Sequence, residues 1–486
     1  MRLIGLLAGL DQDHGLPRLG LAGDHRGMPC QLRDQFASDP VSRHFDDAAL
    51  IAAMARFEAA LALAQADAGL IGREQAECIA SVCFALDGTT PPTSPFDAAS
   101  LVPAARRAGT LAIPFVKALT AAVATRDAEA ARWVHWGATS QDVIDTALAL
   151  QIQAAGREVQ AQLARAGDRL AELAQAHAAT PMVGRTLLQS ATPITFGWKV
   201  AGWLSPLPRL QRSLAQALDD AAVLQLGGAA GTRAALNGQG DAVAQAMAHR
   251  LGLEDPPMAW HASRDRMARL GCELALVTGA MAHIGRDISL LMQPEVGEVA
   301  EPAGDGRGGS SAMPHKRNPV GSMLALQAGL RAPGLVATLL GQQMGEHERG
   351  LGSWQGDWWT IGGLFECAGS ATEAIGECIE GLQVDVAAMH ENLERTRGFV
   401  HAEAVTIALG KTLGKSAAHG LMEQVCQQAL ERGQTLRDAL CAARLADPTL
   451  AAALPESRLA ALFDPAAHRG DAQRMIERVV RQWREC

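Results

Sequence analysis

Apolar residues recur at helical spacing along most of this chain. The clearest segment runs from Asp142 to His177 without a proline, and its large apolar residues recur at steps of three, four or seven. These residues are Ile144, Leu148, Ile152, Val159, Leu163, Leu170 and Leu173. At a rise of about 1.5 Å per residue, one helix over this segment would exceed roughly 50 Å, so it needs comparably long helices as neighbours.

The rest of the chain supplies such neighbours. Helical periodicity predicts a helix over 46–68 and long helices over 195–226, 263–292, 320–346 and 358–393, with Pro206 and Pro208 as kink positions. The pattern predicts an all-α protein with a central bundle of five long helices. We divide it into an extension over 1–34, an N-terminal helical domain over 35–141, the bundle over 142–393 and a C-terminal helical domain over 394–486. The apolar faces are broader than one bundle uses, so we expect subunits to pair through them.

The N-terminus carries a short apolar run that we do not expect to be a secretory signal. Leu3–Leu10 follows Arg2, but Asp11, Asp13 and His14 come next and no small-residue cleavage site follows. Residues 1–34 are rich in glycine and charge and lack helical periodicity, so we expect either disorder there or a true start at Met28. We also expect no later run to be apolar enough to span a bilayer.

Composition excludes several classes of function. The net charge of -9 and the lack of a long Lys/Arg cluster argue against a nucleic-acid partner. The nine cysteines include no Cys-x-x-Cys pair, which favours a reducing, cytoplasmic location and no metal site. No nucleotide-binding loop is present, so we expect no cofactor. Tyrosine is absent, so any general acid or base must be another residue type.

One loop concentrates candidate chemistry. Between Gly309 and Pro319 the chain reads Gly-Ser-Ser-Ala-Met-Pro-His-Lys-Arg-Asn-Pro, which brings together the hydroxyls of Ser310 and Ser311 and the polar side chains of Lys316, Arg317 and Asn318. Glycines at 304, 306 and 308 give the preceding segment backbone freedom to open and close. The composition predicts an anion-handling catalytic loop.

Two further blocks carry candidate binding residues. His135-Trp-Gly-Ala-Thr-Ser-Gln-Asp142 places the polar side chains of Thr139, Ser140 and Gln141 just before a predicted helix, where a carboxylate would meet the positive helix end. The alternative is a simple N-cap made by Ser140 or Asp142. The second block, residues 182–189, contains Arg185 and Thr186. For Arg185 the alternative is an ordinary surface cation.

These three blocks resemble the signature of the fumarase/aspartase superfamily over roughly residues 36–450, and the His-Lys-Arg-Asn-Pro form resembles its adenylosuccinate lyase-like branch. The resemblance implies a three-domain fold with a central long-helix bundle and a homotetramer whose active sites are shared between subunits. It also implies that Ser310 is the carbon acid/base, with Ser311 beside it. Substrate contacts are expected from His135, Thr139, Ser140, Gln141, Arg185, Thr186, Lys316, Asn318 and Arg349.

Two departures from the superfamily pattern narrow the reaction. Most lyases of the superfamily carry a histidine directly after Arg-Thr and a glutamate thirteen residues beyond the serine, and this chain has Leu187 and Met323 there. Because the pair protonates a leaving group, its loss favours an intramolecular addition, in which a substrate carboxylate is the nucleophile. The sequence thus resembles the 3-carboxy-cis,cis-muconate cycloisomerase family, which lactonises a tricarboxylate in protocatechuate (beta-ketoadipate pathway) catabolism.

Alternatives remain open at this point. An adenylosuccinate lyase-like enzyme releasing fumarate would need a substitute acid such as His135 or His347. Three substrate carboxylates suit the available cations, but His347 and Arg349 could equally form ion pairs with Glu346 or Glu348. His135 could equally pack between Trp133 and Trp136, and His315 is expected to brace the loop. A non-catalytic helical assembly on the same scaffold is the other alternative.

Overall fold

Helices form the framework of the protein, as the apolar periodicity predicts. The computed structural model describes residues 35–86, 94–304, 306–310, 312–313 and 315–486, so the extension expected over 1–34 lies outside the described residues. The helices are α1 Asp39–Ser42, α2 Asp47–Asp67, α3 Arg73–Phe84, α4 Ala98–Ala108, α5 Ala112–Ala124, α6 Ala128–Ala131, α7 Ser140–Ala176, α8 Phe196–Leu204, α9 Leu207–Ala221, α10 Gly240–Leu251, α11 Asp265–Leu291, α12 Val320–Gly341, α13 Ser353–Glu380, α14 Val386–Arg395, α15 Ala402–Leu413, α16 Lys415–Glu431, α17 Leu436–Ala446, α18 Pro448–Ala453, α19 Glu456–Leu462 and α20 Ala472–Arg484. The strands are β1 Pro181–Thr186, β2 Gln189–Thr195, β3 Val299–Ala300 and β4 Gln383–Val384.

The central helix α7 confirms the prediction over 142–177. It begins at Ser140, because the Asp142 carboxylate accepts a hydrogen bond from the Thr139 backbone amide at 3.0 Å and so satisfies one donor at the helix start. Its 37 residues pack against α8, α9 and α13. The predicted helices over 46–68 and 263–292 are likewise confirmed as α2 and α11.

Three of the other predicted helices differ from the structure. The segment 195–226 is two helices, α8 and α9, because proline at 206 and 208 removes backbone donors at the junction. The segment 358–393 is also two helices, α13 and α14, separated by β4, which pairs antiparallel with β3. The predicted helix over 320–346 ends at Gly341.

A β-hairpin that the periodicity does not predict carries the second block. Strands β1 and β2 pair antiparallel, with Thr186 opposite Gln189, so Leu187 and Leu188 form a two-residue turn. Both leucines have positive φ, +51° and +63°, in a turn type that usually takes Asn-Gly. The leucines are 97% and 78% exposed, so the hairpin presents an apolar tip to solvent.

The buried apolar residues form three large clusters. One lies along the α7, α11, α12 and α13 bundle, one joins α2 to α5 with the start of α7, and one joins α15 to α19. The last helix, α20, packs through Ile476, Val480 and Trp483 into the bundle cluster. The division into three domains with boundaries at 141 and 393 stays a prediction.

The outer face of α12 is unusually apolar. Met323, Leu330 and Leu340 on α12 are 50%, 82% and 53% exposed, and Trp359 on the adjacent α13 is 82% exposed. By length and composition, α11 and α12 both qualify as membrane-spanning segments, so the expectation that no run is apolar enough was wrong. Both helices are nevertheless built into the bundle cluster, with α12 packed on α11 and α13.

Candidate functional site

The serine loop, residues 301–319, joins β3 to α12. Its first residue, Glu301, bonds to the start of α12 and so holds the two ends of the loop together. This carboxylate is 3% exposed and accepts hydrogen bonds from the backbone amides of Gly321 and Ser322, at 3.0 and 2.8 Å, and from the Ser322 hydroxyl at 2.7 Å. The first amides of a helix lack partners within the helix and carry partial positive charge, so they bind a carboxylate. Arg317 donates to the Glu301 carbonyl oxygen at 2.9 Å, which ties the loop to the same point.

Within the loop, Asn318 braces the segment that leads to the serine. Its backbone amide donates to the Gly308 carbonyl at 2.8 Å, and its side-chain amide donates to the Gly309 carbonyl at 3.3 Å. Gly308 has φ +68°, and a Cβ there would lie 2.6 Å from the Asn318 carbonyl oxygen, so only glycine fits this close approach. Asn318 thus shapes the loop; whether it also contacts a substrate stays a prediction.

The hydroxyl oxygen of Ser310 forms a hydrogen bond within the loop. The oxygen accepts from the backbone amide of Met313 at 3.1 Å, in an exposed part of the loop where Ser310 as a whole is half-buried. A donor aimed at this oxygen stabilises an alkoxide more than a neutral hydroxyl. Lys316 and His315 are exposed in the same loop, whereas the predicted catalytic residue Ser311 lies outside the described residues.

The first block meets Arg349 at the start of α7. One Arg349 Nη donates to the Thr139 hydroxyl at 3.0 Å, and the other donates to the carbonyl oxygens of Gly228 and Ala229 at 3.2 and 3.0 Å. Arg349 therefore does not form the ion pair considered from the sequence. Its Nε is buried and has no hydrogen-bond partner among the described residues, and Ser140 beside Thr139 is half-buried. The region combines a helix start, a hydroxyl and a guanidinium, which suits a carboxylate.

Beneath this surface, Asp142 is a fully buried hub. One carboxylate oxygen accepts from the Gly227 amide at 3.0 Å and lies 2.7 Å from Nε2 of His261, and the other accepts from the amides of Gly228 and Thr139 at 2.8 and 3.0 Å. These bonds fix the Gly227–Gly228 turn against α7, and the two carbonyls that accept from Arg349 belong to Gly228 and to the next residue, Ala229. The available sequence signal for this network was an aspartate directly before the apolar residues of a predicted helix.

A second buried charge cluster lies one turn further along α7. Arg264, 1% exposed, donates through both Nη atoms to Asp145 at 2.8 and 3.1 Å and through Nε to Asp357 at 2.7 Å. Burial raises the pKa of Asp357 to about 6, although Arg264 opposes the shift. The cluster clamps α7 and α13 to the start of α11.

Gln141 is a component of this buried cluster rather than of an open surface. Its side chain is fully buried and donates to Asp145 at 3.0 Å and to the His261 carbonyl at 2.9 Å. In this conformation the side chain faces the core, which argues against the direct substrate contact expected from the sequence. Its position instead supports the helix start.

Arg185 on β1 is held by a buried carboxylate. Its two Nη atoms donate to the two oxygens of Glu298 at 2.9 and 2.7 Å, and Asn392 donates to one of those oxygens at 2.9 Å. Glu298 is fully buried, whereas the Arg185 side chain is 26% exposed. Arg185 is therefore not a simple surface cation, and its charge is compensated within the chain. Thr186 is exposed at the end of β1, next to the apolar tip.

His135 is bonded to a buried glutamate rather than packed between tryptophans. Trp133 and Trp136 pack on each other edge-to-face with ring centroids 5.2 Å apart. His135 Nδ1 lies 2.6 Å from a carboxylate oxygen of Glu58 on α2. Burial alone would lower the pKa of His135, but the charges of Glu58 and Asp142 outweigh it and raise the pKa above the ordinary value. His347 is exposed with φ +50° and forms no ion pair with the residues described.

Within one chain, the three blocks bond to different partners. The serine loop contacts Glu301 and α13, the first block contacts α2, Arg349 and the Gly227–Gly228 turn, and Arg185 contacts Glu298. No hydrogen bond or ion pair joins any two blocks over the part of the chain that the structure describes.

Comparisons with known proteins agree with the fold and the motifs. A family model described as lyase matches residues 33–334, and one described as adenylosuccinate lyase C-terminus matches residues 398–479. The chain is 46% identical over 435 residues to a 3-carboxy-cis,cis-muconate cycloisomerase from Bradyrhizobium diazoefficiens, covering 90% of this chain and 94% of that protein. It is also 39% identical over 452 residues to a nitrosuccinate lyase from Streptomyces davaonensis, covering 91% and 93%.

A solved structure extends the similarity to three dimensions. The crystal structure of 3-carboxy-cis,cis-muconate lactonizing enzyme from Pseudomonas putida matches with a TM-score of 0.86 at 41% identity, covering 94% of this chain and 99% of that chain. The match confirms the all-α fold class expected from the sequence. Together with the family model over 33–334, it shows that the chain belongs to the lyase family within the fumarase/aspartase superfamily.

Proposed function

We propose that this protein is a cycloisomerase that lactonises 3-carboxy-cis,cis-muconate. The observation that carries the proposal is that two positions are apolar where most lyases of the superfamily have the histidine and glutamate that protonate the leaving group. Leu187 is 97% exposed at the hairpin tip, and Met323 is 50% exposed in the first turn of α12. Neither side chain can protonate a leaving group, so the reactions that fit are those that need no such proton, and lactonisation expels no group at all.

The proposed reaction adds a carboxylate and a proton across one double bond of the substrate. A carboxylate oxygen, already ionised at neutral pH, bonds to one alkene carbon, while the other alkene carbon takes a proton. The substrate holds its own nucleophile close, so no second reactant has to be bound. No atom leaves, and no oxidant or reductant is consumed.

Ser310 is the proposed proton donor. Its oxygen accepts the Met313 amide at 3.1 Å, which stabilises the alkoxide left after the hydroxyl gives its proton to carbon. Lys316 adds a positive charge in the same loop, and solvent returns the proton to the serine after lactonisation.

Because the serine proton exchanges with solvent, lactonisation in D₂O is expected to place a single deuterium in the product. NMR should find it on the carbon bonded to the carbon that carries the ring oxygen. A lactone without deuterium would contradict protonation by an exchangeable group.

A second reaction class is also compatible with apolar residues at positions 187 and 323. The similarity to a nitrosuccinate lyase matters because nitrite is a weakly basic leaving group that departs as an anion and needs no proton donor. Loss of the acid pair therefore disfavours adenylosuccinate as a substrate, because its departing nitrogen needs a proton. It does not disfavour nitrosuccinate as a substrate. Assays with all three substrates separate these possibilities.

The active sites are proposed to be shared between subunits of a homotetramer. Support comes from the lack of hydrogen bonds and ion pairs between the described residues of the three blocks, and from the apolar outer face of α12 and α13. Such a face on a helical bundle is a ready surface for pairing with a second copy. The serine loop of one chain would then meet the first block of another.

Mixing two inactive variants tests this sharing. Ser310→Ala damages the loop and Arg349→Met damages the first block, so each homotetramer is expected to be inactive. Unfolding and refolding them together at equal amounts is expected to restore about a quarter of the sites, because each site then draws its loop and first block from independently chosen chains. No recovered activity after verified mixing would place the whole site within one chain.

A further inference from the structure

The starting observation is a carboxylate buried in an apolar cluster far from the helix ends. Glu58 lies near the middle of α2, is 1% exposed and is surrounded by the cluster that contains Met54, Phe57 and Leu61. A buried carboxylate is costly unless a partner compensates for the lost hydration. Its only hydrogen-bond partner among the described residues is His135, at 2.6 Å, and its second oxygen is buried without one.

The backbone around His135 is held in an uncommon conformation by the same helix. His135 has φ +61°, and the fully buried Gln65, two turns along α2 from Glu58, donates to the Trp136 carbonyl at 2.6 Å. A non-glycine residue with positive φ persists when its surroundings over-determine it, and such residues cluster at functional sites. Helix α2 therefore fixes both the backbone and the ring of this segment.

The ring's other nitrogen is available to a ligand. Nε2 of His135 makes no hydrogen bond to the described residues, and the side chain is 17% exposed. Thr139, four residues later, is the N-cap of α7, and its hydroxyl accepts a hydrogen bond from Arg349. With Nδ1 engaged by Glu58, a protonated ring presents a single N–H donor from Nε2.

From this geometry we infer that Glu58 is a positioning residue that holds His135 as a cationic, singly directed donor for one carboxylate of the substrate. The inference rests on the proposed function for the identity of that substrate. It assigns the anion site at the first block to two cations, His135 and Arg349, together with the helix start. Glu58 itself does not touch the substrate.

The groups facing the pair determine the pH response. Besides Glu58 on α2, these are Asp142 on α7, which raises the pKa of His135, and Cys83 on α3, whose own pKa is raised by burial and by Glu58 so that the thiol stays neutral. The folded pKa of His135 is raised, so its positive charge is present at low pH and is lost as pH rises through that raised value. Substrate binding should weaken over the same interval.

The test is Glu58→Gln, which keeps the size of the side chain and removes its charge. The His135 ring stays buried in this variant but loses the negative charge of Glu58, so the pKa of His135 should fall below its ordinary value. At a pH between the two pKa values, KM for 3-carboxy-cis,cis-muconate should rise roughly ten- to hundredfold with kcat nearly unchanged, as for loss of a charged hydrogen bond. The alkaline fall of kcat/KM should move to lower pH, and Glu58→Asp should restore part of the shift.

A matched control is available elsewhere in the chain. Glu158 lies 4.0 Å from His44 and forms an ion pair with Arg43 on a partly exposed surface. Glu158→Gln also removes a glutamate next to a histidine and should leave KM and the pH profile unchanged. A purely structural role for Glu58 would lower the unfolding temperature in Glu58→Gln without moving the pH profile, and that result would overturn the inference.

A second measurement does not depend on turnover or on the variant folding. Histidine C2 hydrogen–deuterium exchange, read by mass spectrometry, gives the pKa of His135 in the wild-type protein with and without the unreactive tricarboxylate tricarballylate. The bound anion should raise that pKa further, while the pKa of His44 stays fixed. No response at His135 would overturn the inference, and a response without lactonisation would reject only the proposed reaction.

Discussion

Replacing Ser310 with alanine is expected to reduce turnover of 3-carboxy-cis,cis-muconate by about 10²- to 10⁴-fold, the range typical for loss of a positioned general acid. The physical reason is that Ser310 is the proposed proton donor, and the Met313 amide that it accepts stabilises the alkoxide left after proton transfer. Because the change removes a single oxygen from a half-buried loop position, the fold and the subunit assembly should persist. Steady-state kinetics with light scattering would measure both.

The control for this variant is another loop serine. Ser94 also accepts a backbone amide through its hydroxyl oxygen, from Phe96 at 3.2 Å, but lies outside the three blocks. Ser94→Ala should leave turnover unchanged. If Ser310→Ala keeps full turnover while remaining assembled, Ser310 is not the proton donor, and its neighbour Ser311 becomes the next candidate.

Replacing Arg264 with methionine is expected to lower the free energy of unfolding by about 3–5 kcal/mol, the usual result of removing one partner from a buried ion cluster. The change leaves the carboxylates of Asp145 and Asp357 buried without their cation, and removes the stacking of Arg264 on Trp260, where its guanidinium carbon lies 4.7 Å from the ring centroid. Urea-induced unfolding followed by circular dichroism would measure the loss.

An exposed ion pair provides the comparison. Arg269 forms a salt bridge with Asp220 at 2.6 Å while remaining 49% exposed, so Arg269→Met should cost no more than about 1 kcal/mol. Adding Asp145→Asn and Asp357→Asn to Arg264→Met should recover part of the stability, because the uncompensated charges are gone. Equal losses for Arg264→Met and Arg269→Met would contradict the importance of the buried cluster.

The long helices were predictable because their apolar residues repeat over many turns. The period alone indicated α2, α7 and α11 to within a few residues, and prolines marked the junction between α8 and α9. The separation of α13 from α14 was not predictable, since it depends on β4 pairing with β3 from a distant part of the chain. The hairpin was missed because its turn is Leu-Leu, which lacks the glycine or asparagine that usually indicates such turns.

The site was predictable where a motif is continuous in sequence and hidden where partners are distant. The serine loop and the first block were visible as short runs, but Glu58 and Arg264 look like ordinary helix charges until the fold buries them. Gln141 was expected to contact the substrate together with Thr139 and Ser140, yet helical geometry turns its side chain toward Asp145 in the core. Burial of charged side chains is set by tertiary packing, which local sequence does not specify.

The most direct measurement is a parallel assay of the purified protein with 3-carboxy-cis,cis-muconate, nitrosuccinate and adenylosuccinate, following loss of the conjugated diene and formation of fumarate. We predict diene loss with the first substrate, without fumarate, and no fumarate from adenylosuccinate. If fumarate forms only from nitrosuccinate, the protein would be a lyase that uses Ser310 as its base and expels a weakly basic leaving group. Fumarate from adenylosuccinate without diene loss would contradict the central claim, because a residue elsewhere in the site would then have to protonate the departing nitrogen, which Leu187 and Met323 cannot do.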